Sequence, residues 1–219
     1  MDLEIMRSYL PRFWDALVLT VQIGWEGVLI AFLLGIACAG IGHLRIPLLA
    51  GLVKCYVELF RSTPLLVQLF FLYFALPKVG VHLSARVCGS LGLGLLGGAY
   101  MAETFRSGLE SVPPVQLESA QSLGMTGLQA LQHVILPQAV ASSVPGLVAN
   151  VVFLLKETSV FSTISLMDLM FTAKDLIGMY ARTLECLTLL VIFYLVMLLP
   201  VSVLGTLAER RLRHGVFGN

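Results

Sequence analysis

The chain has 219 residues, of which 58% are hydrophobic and 12% charged, whereas soluble domains contain roughly 45–50% apolar and about 25% charged residues. The formal net charge is +1, and neither a basic block nor an acidic tail is present, so nucleic acid is not indicated as a partner. The composition therefore excludes an ordinary soluble domain and predicts an all-α membrane protein.

The apolar residues are grouped into segments of membrane-spanning length. The first dozen residues contain four charged side chains and lack the apolar core of a secretory signal peptide, so the first apolar segment is expected to be a retained span. A spanning helix needs about 20 mostly apolar residues. About five segments fulfil this condition, namely residues 14–42, 53–77, 87–105, 134–155 and 186–208.

The basic residues beside these segments do not decide the orientation of the chain. Lys and Arg divide evenly between the two faces of the membrane. The cluster of Arg210, Arg211 and Arg213 after the last segment is typical of a cytoplasmic flank. With an odd number of spans, this cluster favours an external N-terminus. No internal repeat or appended soluble domain is apparent, which predicts a single domain over residues 1–219.

Two features of the first two segments depart from a plain apolar helix. Glu26 lies well inside the first segment, where an isolated charge costs about 2.5–3.5 kcal/mol. It is expected either to face the subunit interface or a water-filled cavity, or to reach the membrane surface. In the second segment, Arg61, Thr63 and Pro64 predict a helix restart, with Thr63 as N-cap and Pro64 at the first helical position. This restart is either a structural kink or the hinge of a gate.

The third segment contains a glycine pattern with two readings. Gly92, Gly94 and Gly97 fit the GxGxxG pattern of dinucleotide-binding loops, but that loop requires a preceding strand. Gly94 and Gly98 also form GxxxG, which lets two membrane helices approach closely. The apolar context favours helix packing. The sequence has no GxxxxGK[ST] motif, so any ATP is expected to be bound by another subunit.

The stretch ESAQSLGMTGLQALQHVILP at residues 118–137 is amphipathic and broken by glycine. Pro113 and Pro114 are suited to begin a helix. Gly124 is suited to the left-handed residue that ends one, and Thr126 with Gln129 fits the capping box that begins the next. The pattern predicts a helix, an elbow and a second helix. One apolar face is expected along both: Leu117, Ala120, Gly124, Leu128, Leu131 and Ile135.

This amphipathic segment either rests on lipid headgroups or docks in a groove of another protein. Lys and Arg, which headgroup-bound helices use to hold anionic lipid, are nearly absent here. A protein groove is therefore favoured, where a buried leucine contributes roughly 1.5–3 kcal/mol.

The same segment resembles the EAA loop of bacterial ABC importer permeases, which reads EAA, three residues, G, nine residues, I, one residue, LP. Ser119 replaces the second-position Ala, and Val134 stands where Ile is usual. Both are mild changes. The resemblance rests on five positions: Glu118, Ala120, Gly124, Leu136 and Pro137.

Two further stretches resemble the polar amino acid subfamily of these permeases, the histidine, glutamine and arginine type. Residues 56–68, YVELFRSTPLLVQ, are similar to its YVE-x-x-R-G-T-P-L-L-V-Q stretch, with Ser62 in place of Gly. Residues 155–159, LKETS, are similar to its L-K-D/E-T-S segment after the fourth span. The resemblance thus extends over most of the chain.

This resemblance implies a type I ABC importer permease fold in the bacterial inner membrane, with a periplasmic N-terminus and a cytoplasmic C-terminus. In the family, the EAA loop, here at about residues 112–135, is a cytoplasmic coupling helix that docks in a cleft of the ATPase. The residues expected to couple to the ATPase are Glu118, Ala120, Gly124, Leu128, Leu136 and Pro137.

The resemblance also implies the function and the partners. The chain is expected to move polar amino acids into the cytoplasm, with ABC ATPase subunits, a periplasmic or lipid-anchored amino acid binding protein, membrane lipid, and a second permease chain, alike or different. It is expected to be non-catalytic and to bind no cofactor, because ATP and Mg are used by the ATPase.

Lys156, Glu157, Thr158 and Ser159 are the candidates for the substrate path. An amino acid carries an ammonium and a carboxylate, so adjacent opposite charges and two hydroxyls are suited to hold it transiently. Alternatively, Lys156 and Glu157 form an ion pair that caps the helix at the membrane surface.

Two other functions stay open. A secondary transporter or channel without an ATPase would be supported by inverted repeats or paired broken helices, which are not evident. A membrane-embedded enzyme would need a motif such as HExxH or GxSxG, and neither occurs. The four cysteines lack metal-site spacing and are expected to be buried free thiols. No metal site is expected.

Overall fold

The computed structural model describes residues 2–43 and 47–217, with side chains for residues 2–42 and 47–212. Helices account for most of these residues, and no strand occurs among them. Arg210 and Arg211 are exposed near the end of the last helix. The side chain of Arg213, the third arginine of the predicted cluster, lies outside the described residues.

The described residues form nine α-helices: α1 Leu3–His43, α2 Pro47–Ser62, α3 Leu65–Phe70, α4 Ala85–Glu110, α5 Pro114–Ser122, α6 Gly127–Ala130, α7 Leu136–Glu157, α8 Leu169–Tyr180 and α9 Thr183–Phe217. Four short segments of other helical types adjoin α3 and α7. A π-helical turn, Phe71–Ala75, and a 3-10 turn, Leu76–Val79, follow α3. A π-helical turn, Leu131–Ile135, leads into α7, and a 3-10 helix, Thr158–Ile164, follows it.

Within the described part of the chain, three helical stretches are long and apolar enough to cross a membrane: Leu3–Gly42, Gly127–Ile164 and Thr183–Leu212. They contain the predicted segments 14–42, 134–155 and 186–208. The pair Pro47–Ser62 and Leu65–Val79 would add a fourth span, although it is bent by 103°, and it contains segment 53–77. The predicted span 87–105 lies in α4, which is not among these stretches because its glycines reduce its apolarity. The count of five spans therefore stays a prediction.

Helix α1 begins earlier than the first predicted span. It has 41 residues, a length of about 60 Å at 1.5 Å per residue, which is twice the roughly 30 Å of hydrocarbon in a bilayer. Its charged N-terminal residues therefore continue the helix beyond the apolar layer. The Asp2 backbone N–H donates to the Glu185 carboxylate at the start of α9 over 3.1 Å.

Helix α4 lies at the centre of the molecule and packs most extensively on α1. A methyl group added at Gly94 would lie 2.7 Å from Ile30 Cβ, and one at Gly98 would lie 2.8 Å from Leu34 Cβ. These glycines therefore permit the two backbones to approach closely. The GxGxxG pattern lies inside this helix, which confirms the packing interpretation.

The core consists of two apolar clusters that α1 joins. One contains Phe13, Leu176 and Phe193 and holds α1, α8 and α9 together. The other contains Ile23 and Leu93 and packs α1 on α3, α4 and the 3-10 helix after α7. The expectation of buried cysteines holds for Cys88 and Cys186, whereas Cys38 is half-buried and Cys55 is exposed.

Glu26 of α1 forms an ion pair with Arg86 in the first turn of α4. The Arg86 Nε–H also donates to Glu26 Oε2 over 3.4 Å. Glu26 therefore pairs with a residue of its own chain, an arrangement that neither of the two alternatives from the sequence named. The pair adds a polar contact to the glycine-rich interface of α1 and α4.

Candidate functional sites

The segment at residues 112–135 forms a helix, an elbow and a second helix. Pro113 precedes α5 with an extended backbone, and Pro114 is its first residue. At the other end, Gly124 has a φ of 83°, a left-handed conformation that favours glycine. The N–H of Gly124 donates to Gln121 O over 2.9 Å, and the N–H of Met125 donates to Ala120 O over 3.1 Å. This is the Schellman pattern of helix termination.

The capping box predicted for the second helix is also present. The Gln129 N–H donates to Thr126 Oγ1 over 3.3 Å, and the Thr126 N–H donates to Gln129 Oε1 over 2.9 Å. Each side chain thus satisfies a backbone donor of the other residue. Local interactions alone fix the elbow, which confirms this part of the sequence prediction.

The outer side of the elbow presents apolar side chains. Leu117 is 38%, Leu123 82% and Leu128 64% exposed. We call these three residues the coupling surface, after the role that the sequence predicts for this segment. Ala120 and Ala130 are instead buried against the chain. The predicted single apolar face is therefore divided, because the elbow turns part of it inward and leaves Leu128 outward.

The remaining predicted coupling residues lie on and beside this segment. Glu118 is exposed on α5. Leu136, which is 40% exposed, and the exposed Pro137 form the first turn of α7. The sequence-predicted set is thus largely accessible, apart from Ala120.

The break between α2 and α3 occurs where the sequence predicts it, but its cap differs from the prediction. Pro64 itself is the N-cap residue, with φ −59° and ψ 142°, and α3 begins at Leu65. The Thr63 hydroxyl donates to Leu59 O over 2.7 Å, back into α2. The predicted roles of Thr63 as N-cap and Pro64 as first helical residue are therefore wrong by one position, because Thr63 continues to interact with the preceding helix.

Gln68, which the sequence analysis did not single out, holds the break together. Its amide Nε2 donates to Phe60 O over 3.1 Å and to Thr63 O over 3.0 Å. These carbonyls lie at the end of α2, where the helix provides no further donors. The signal in the sequence was a lone amide inside an apolar run, four residues after Pro64.

A cavity of about 400 Å³ lies against this break, and we call it the hinge cavity. It is lined by Arg61, Thr63 and Pro64 at the break, by Tyr100 of α4, and by Glu157 at the end of α7. The structure thus brings the three predicted hinge residues together with one predicted substrate-path residue. The volume falls within the roughly 300–1,000 Å³ of small-molecule sites.

The other three substrate-path residues do not line the hinge cavity. Lys156 is exposed, and among the described residues no ion pair joins it to Glu157. Thr158 is fully buried, and its hydroxyl donates to Leu155 O over 2.7 Å. Ser159 is half-buried. Consecutive residues of a helix point in different directions, which separates Lys156 from Glu157.

A second cavity of about 620 Å³ lies between the ends of α1 and α4 and the middle of α2, and we call it the charged cavity. Its acidic and basic lining residues are equal in number: Lys54, Glu58, Arg61, Glu103, Arg106 and Glu110. Arg106 forms ion pairs with Glu103 and with Glu110, the latter over 2.6 Å. Arg61 lies 3.9 Å from Glu103 Oε2 and 5.3 Å from the ring centroid of Tyr100.

Asp168 is a buried acid that the sequence analysis also missed. It is fully buried before α8, where its Oδ1 accepts the Phe171 N–H over 2.9 Å as an N-cap. No described residue donates a hydrogen bond to its Oδ2. Burial raises the pKa of Asp168 to about 7.

Known proteins with a similar sequence identify the family. Residues 27–214 match the family described as the binding-protein-dependent transport system inner membrane component. The chain belongs to this family. This permease is an integral protein of the inner membrane and a membrane subunit of an ABC importer.

Two relatives show how much of the permease is shared. It is 36% identical over 212 residues to the probable amino-acid permease protein YxeN of Bacillus subtilis, with 95% of each chain covered. It is 32% identical over 222 residues to the glutamate/aspartate import permease protein GltJ of Escherichia coli, with 94% of this chain and 89% of that one covered.

Solved structures agree with this assignment. The crystal structure of an amino acid ABC transporter with histidines contains a chain that superposes with a TM-score of 0.90 at 34% identity, covering 96% of the permease and 99% of that chain. A chain of the inward-facing MetNI methionine ABC transporter gives a TM-score of 0.68 at 20% identity, covering 97% and 99%. This second likeness shows the shared fold alone.

Proposed function

We propose that the permease moves polar amino acids into the cytoplasm and is driven by a separate ATPase that docks on its coupling surface. The observation that carries the proposal is the elbow at Gly124, which is fixed by local hydrogen bonds yet exposes Leu117, Leu123 and Leu128. The likeness to YxeN and GltJ, both named as amino-acid permeases, supports the substrate class.

The coupling surface is suited to transmit motion. Each of its leucines contributes roughly 1.5–3 kcal/mol when a protein groove covers it. Beyond the elbow, the chain continues through the capping box and a π-helical turn into α7. A movement of the docked elbow is therefore passed to α7, which ends at Glu157 beside the hinge cavity.

The topology follows from the same proposal. The whole chain, residues 1–219, is one permease domain with about five spanning helices, the fifth being the central helix α4. The segment at 112–135 and the C-terminus face the cytoplasm, and the N-terminus faces the periplasm. The exposed Arg210 and Arg211 support this orientation.

The complete importer contains further subunits in this proposal. Two ABC ATPases bind ATP and Mg, a periplasmic or lipid-anchored binding protein delivers the amino acid, and a second permease chain, identical or different, completes the path. Closure of the ATPases shifts the two permeases between two states.

Glu157 is the substrate-path residue that the geometry supports best, because it lines the hinge cavity. Lys156, Thr158 and Ser159 do not line this cavity, so a place for them in the substrate path would require another conformation. We expect Glu157→Gln to reduce uptake at least tenfold and Lys156→Gln to change it less than twofold. Uptake is measured in proteoliposomes. Equal losses from the two substitutions would indicate that Lys156 also belongs to the substrate path.

Reconstitution decides between an ABC importer and an ATP-independent transporter. Proteoliposomes that contain the permease, its ATPase and its binding protein should accumulate radiolabelled amino acid only when ATP is present on the side of the membrane that carries the ATPase. Omission of the ATPase should abolish accumulation. Equal accumulation without the ATPase would support a secondary transporter or channel.

A further inference from the structure

An apolar groove lies on the surface of the permease between α1, α7 and α9, and we call it the α9 groove. It has a volume of about 490 Å³, and no polar side chain lines it among the described residues. Leu29 and Leu204, which line it, are 60% and 65% exposed. A methyl group added at Gly205 would collide with Val148, so α9 approaches α7 closely there. The lining residues include Trp25, Leu29, Val148, Val201, Leu204 and Ala208.

The groove lies along the part of α9 that leads to a group of charged residues. Between Glu185 and Glu209, α9 has no charged side chain. Because a charge inside hydrocarbon is costly, α9 leaves the apolar layer at about Glu209. From Val201 to Arg211 the helix rises about 15 Å, which is half of the roughly 30 Å of hydrocarbon in a bilayer. The groove therefore lies beside the acyl chains of one leaflet, and Arg211 lies beside the headgroups of that leaflet.

Helix α1 provides the other long wall of the groove and runs in the same direction as α9. The Asp2 N–H donates to Glu185 near the start of both helices. Further along, the ring centroids of Phe13 and Phe193 are 5.4 Å apart. An extended acyl chain that lies along α9 therefore also contacts α1.

Arg211 is the basic residue that continues the face of α9 that lines the groove. Successive residues of an α-helix are rotated by about 100°, so residues seven apart lie on nearly the same face. Arg211 is exposed and follows Leu204, a lining residue, by seven positions. Arg210 is also exposed, but it follows Val203, which does not line the groove. The two neighbouring arginines therefore extend from different sides of α9.

We propose that the α9 groove binds an acyl chain of an anionic phospholipid, and that Arg211 binds the phosphate of the same lipid. A guanidinium matches a phosphate with two parallel hydrogen bonds, and basic residues beside a membrane helix attract anionic lipid. A zwitterionic lipid binds less well, because its own cation competes with Arg211 for the phosphate. The inference goes beyond the proposed import and does not depend on the solute that the permease carries.

A second apolar groove in the same chain provides an internal comparison, and we call it the N-terminal groove. It lies between the first halves of α1 and α9 and has a volume of about 590 Å³. Trp14 and Phe193 line it, and Asp15 is the one charged side chain among the described residues that do so. An acid does not attract an anionic headgroup, so this groove should accept the two lipid classes alike.

The two tryptophans of the chain report on the two grooves, because Trp14 lines the N-terminal groove and Trp25 lines the α9 groove. Full-length Trp14→Phe and Trp25→Phe permeases each retain one of them. Each variant is reconstituted into phosphatidylcholine vesicles in which a fraction of the lipid carries bromine on its acyl chains. Bromine quenches tryptophan fluorescence on contact. Brominated phosphatidylglycerol and brominated phosphatidylcholine are compared at equal mole fractions.

We expect phosphatidylglycerol to bind beside Trp25 about fivefold more strongly than phosphatidylcholine, the factor for one arginine near an anionic surface. Trp14 should not distinguish the two lipids. In the Trp14→Phe background, Arg211→Gln should abolish the preference at Trp25. Arg210→Gln is the matched control, because it removes the same charge from the other side of α9, and it should retain most of the preference.

A second pair of substitutions tests the acyl-chain part of the site. Ala208→Phe places a ring in the groove and should reduce quenching of Trp25 by both lipids. Val203→Phe adds a ring to the same helix outside the groove and should leave quenching unchanged. If Ala208→Phe fails to fold, the exposed pair Arg210 and Arg211 still decides the proposal.

Four results would overturn the proposal. Equal quenching of Trp25 by the two lipids would exclude selection of an anionic headgroup. Equal losses from Arg210→Gln and Arg211→Gln would indicate a diffuse attraction of charge, and the same preference at Trp14 would indicate enrichment of the lipid around the whole protein. Absence of quenching at Trp25 by either lipid would show that a second copy of the chain covers the groove.

Discussion

Glycine has opposite roles in two regions: the interface of α1 and α4, and residues 112–135, which we call the coupling segment after their proposed role. In the interface, an added methyl group at Gly94 or Gly98 would lie within 2.8 Å of a side-chain carbon in α1. In the coupling segment, one at Gly124 or Gly127 would meet no atom within 4 Å. Glycine permits close packing in the first region and a backbone turn in the second.

The two regions also differ in how much of their apolar surface the chain itself buries. Leu93 and Met101 of α4 are fully buried, whereas Leu123 and Leu128 are 82% and 64% exposed. In the first region, the apolar side chains are buried by other residues of the same chain. The second region leaves its leucines exposed. Leucine and glycine thus have a structural role in the first region and a proposed coupling role in the second.

Enlarging an interface glycine should have the largest effect. A Cβ at Gly97 would lie 2.7 Å from Ala31 Cβ, which cannot move without its backbone. We expect Gly97→Leu to separate α1 from α4 and to abolish recovery of folded permease, measured by size-exclusion chromatography in detergent, because overpacking by a single side chain already costs about 1–3 kcal/mol when the core can adjust.

Gly40→Leu is the control for this substitution. Gly40 is exposed on α1, and an added Cβ there would meet nothing within 4 Å. We expect folded permease at the level of the wild type. Similar losses of folded permease from both substitutions would mean that the close contact at Gly97 is not the cause of the loss.

Asp168 tests the packed region with a buried charge. Its pKa of about 7 lies above the ordinary 3.8, so the folded state binds a proton more tightly than the unfolded state between these values. The free energy of unfolding should therefore fall as pH rises from about 4 to about 7, by on the order of 4 kcal/mol for about three units. Asp168→Asn should remove this fall, because asparagine retains the N-cap without ionising.

The measurement is thermal unfolding of both proteins in detergent from pH 5 to pH 8. Other titrating groups are common to the two proteins, so the difference between the curves isolates Asp168. We expect the variant to be more stable than the wild type at pH 8 and to approach it at pH 5. Parallel curves would show that the carboxylate is not destabilised by burial.

The ion pair of Glu26 and Arg86 tests whether charge also holds α1 to α4. Arg86→Gln leaves Glu26 unpaired within the first spanning helix, where an isolated charge costs about 2.5–3.5 kcal/mol. We expect a lower yield of inserted permease and a lower thermal midpoint. The double substitution Glu26→Gln with Arg86→Gln should recover most of the loss, and failure to recover would exclude the unpaired carboxylate as its cause.

The sequence predicts features that neighbouring residues determine. The elbow is fixed by hydrogen bonds that span no more than five residues, and the sequence predicts the roles of Gly124, Thr126 and Gln129 in it. The apolar context of the α4 glycines likewise predicts helix packing and not a nucleotide loop, as the structure confirms. Local chemistry and apolar periodicity therefore account for the elbow at Gly124 and for the three long apolar helical stretches.

Features that depend on distant residues could not be predicted in the same way. Glu26 and Arg86 are 60 residues apart, and Arg61 meets Glu103 only because α2 packs on α4. At the hinge, Gln68 supplies donors to α2, which the capping rule applied to Thr63 did not anticipate. Lys156 and Glu157 are adjacent in sequence, yet their helical geometry sends them into different surroundings.

Substitution at Gly124 tests the open region and should affect transport more than folding. Its φ of 83° is costly for most residues, and an aspartate adds a charge beside the coupling surface. We expect Gly124→Asp to be inserted normally and to reduce ATP-driven uptake about tenfold, equivalent to roughly 1.4 kcal/mol. Gly124→Asn should retain more uptake, because asparagine tolerates the left-handed conformation and adds no charge.

Gly127→Asp separates the backbone requirement from the charge. Gly127 is the first residue of α6, has no positive φ, and lies three residues from Gly124. An acid in the first turn of a helix is favourable, so we expect this variant to couple better than Gly124→Asp. If both aspartates abolish uptake equally, the charge disrupts docking and the turn is secondary. If neither reduces uptake, the elbow does not transmit the motion of an ATPase, and the exposed leucines require a different partner.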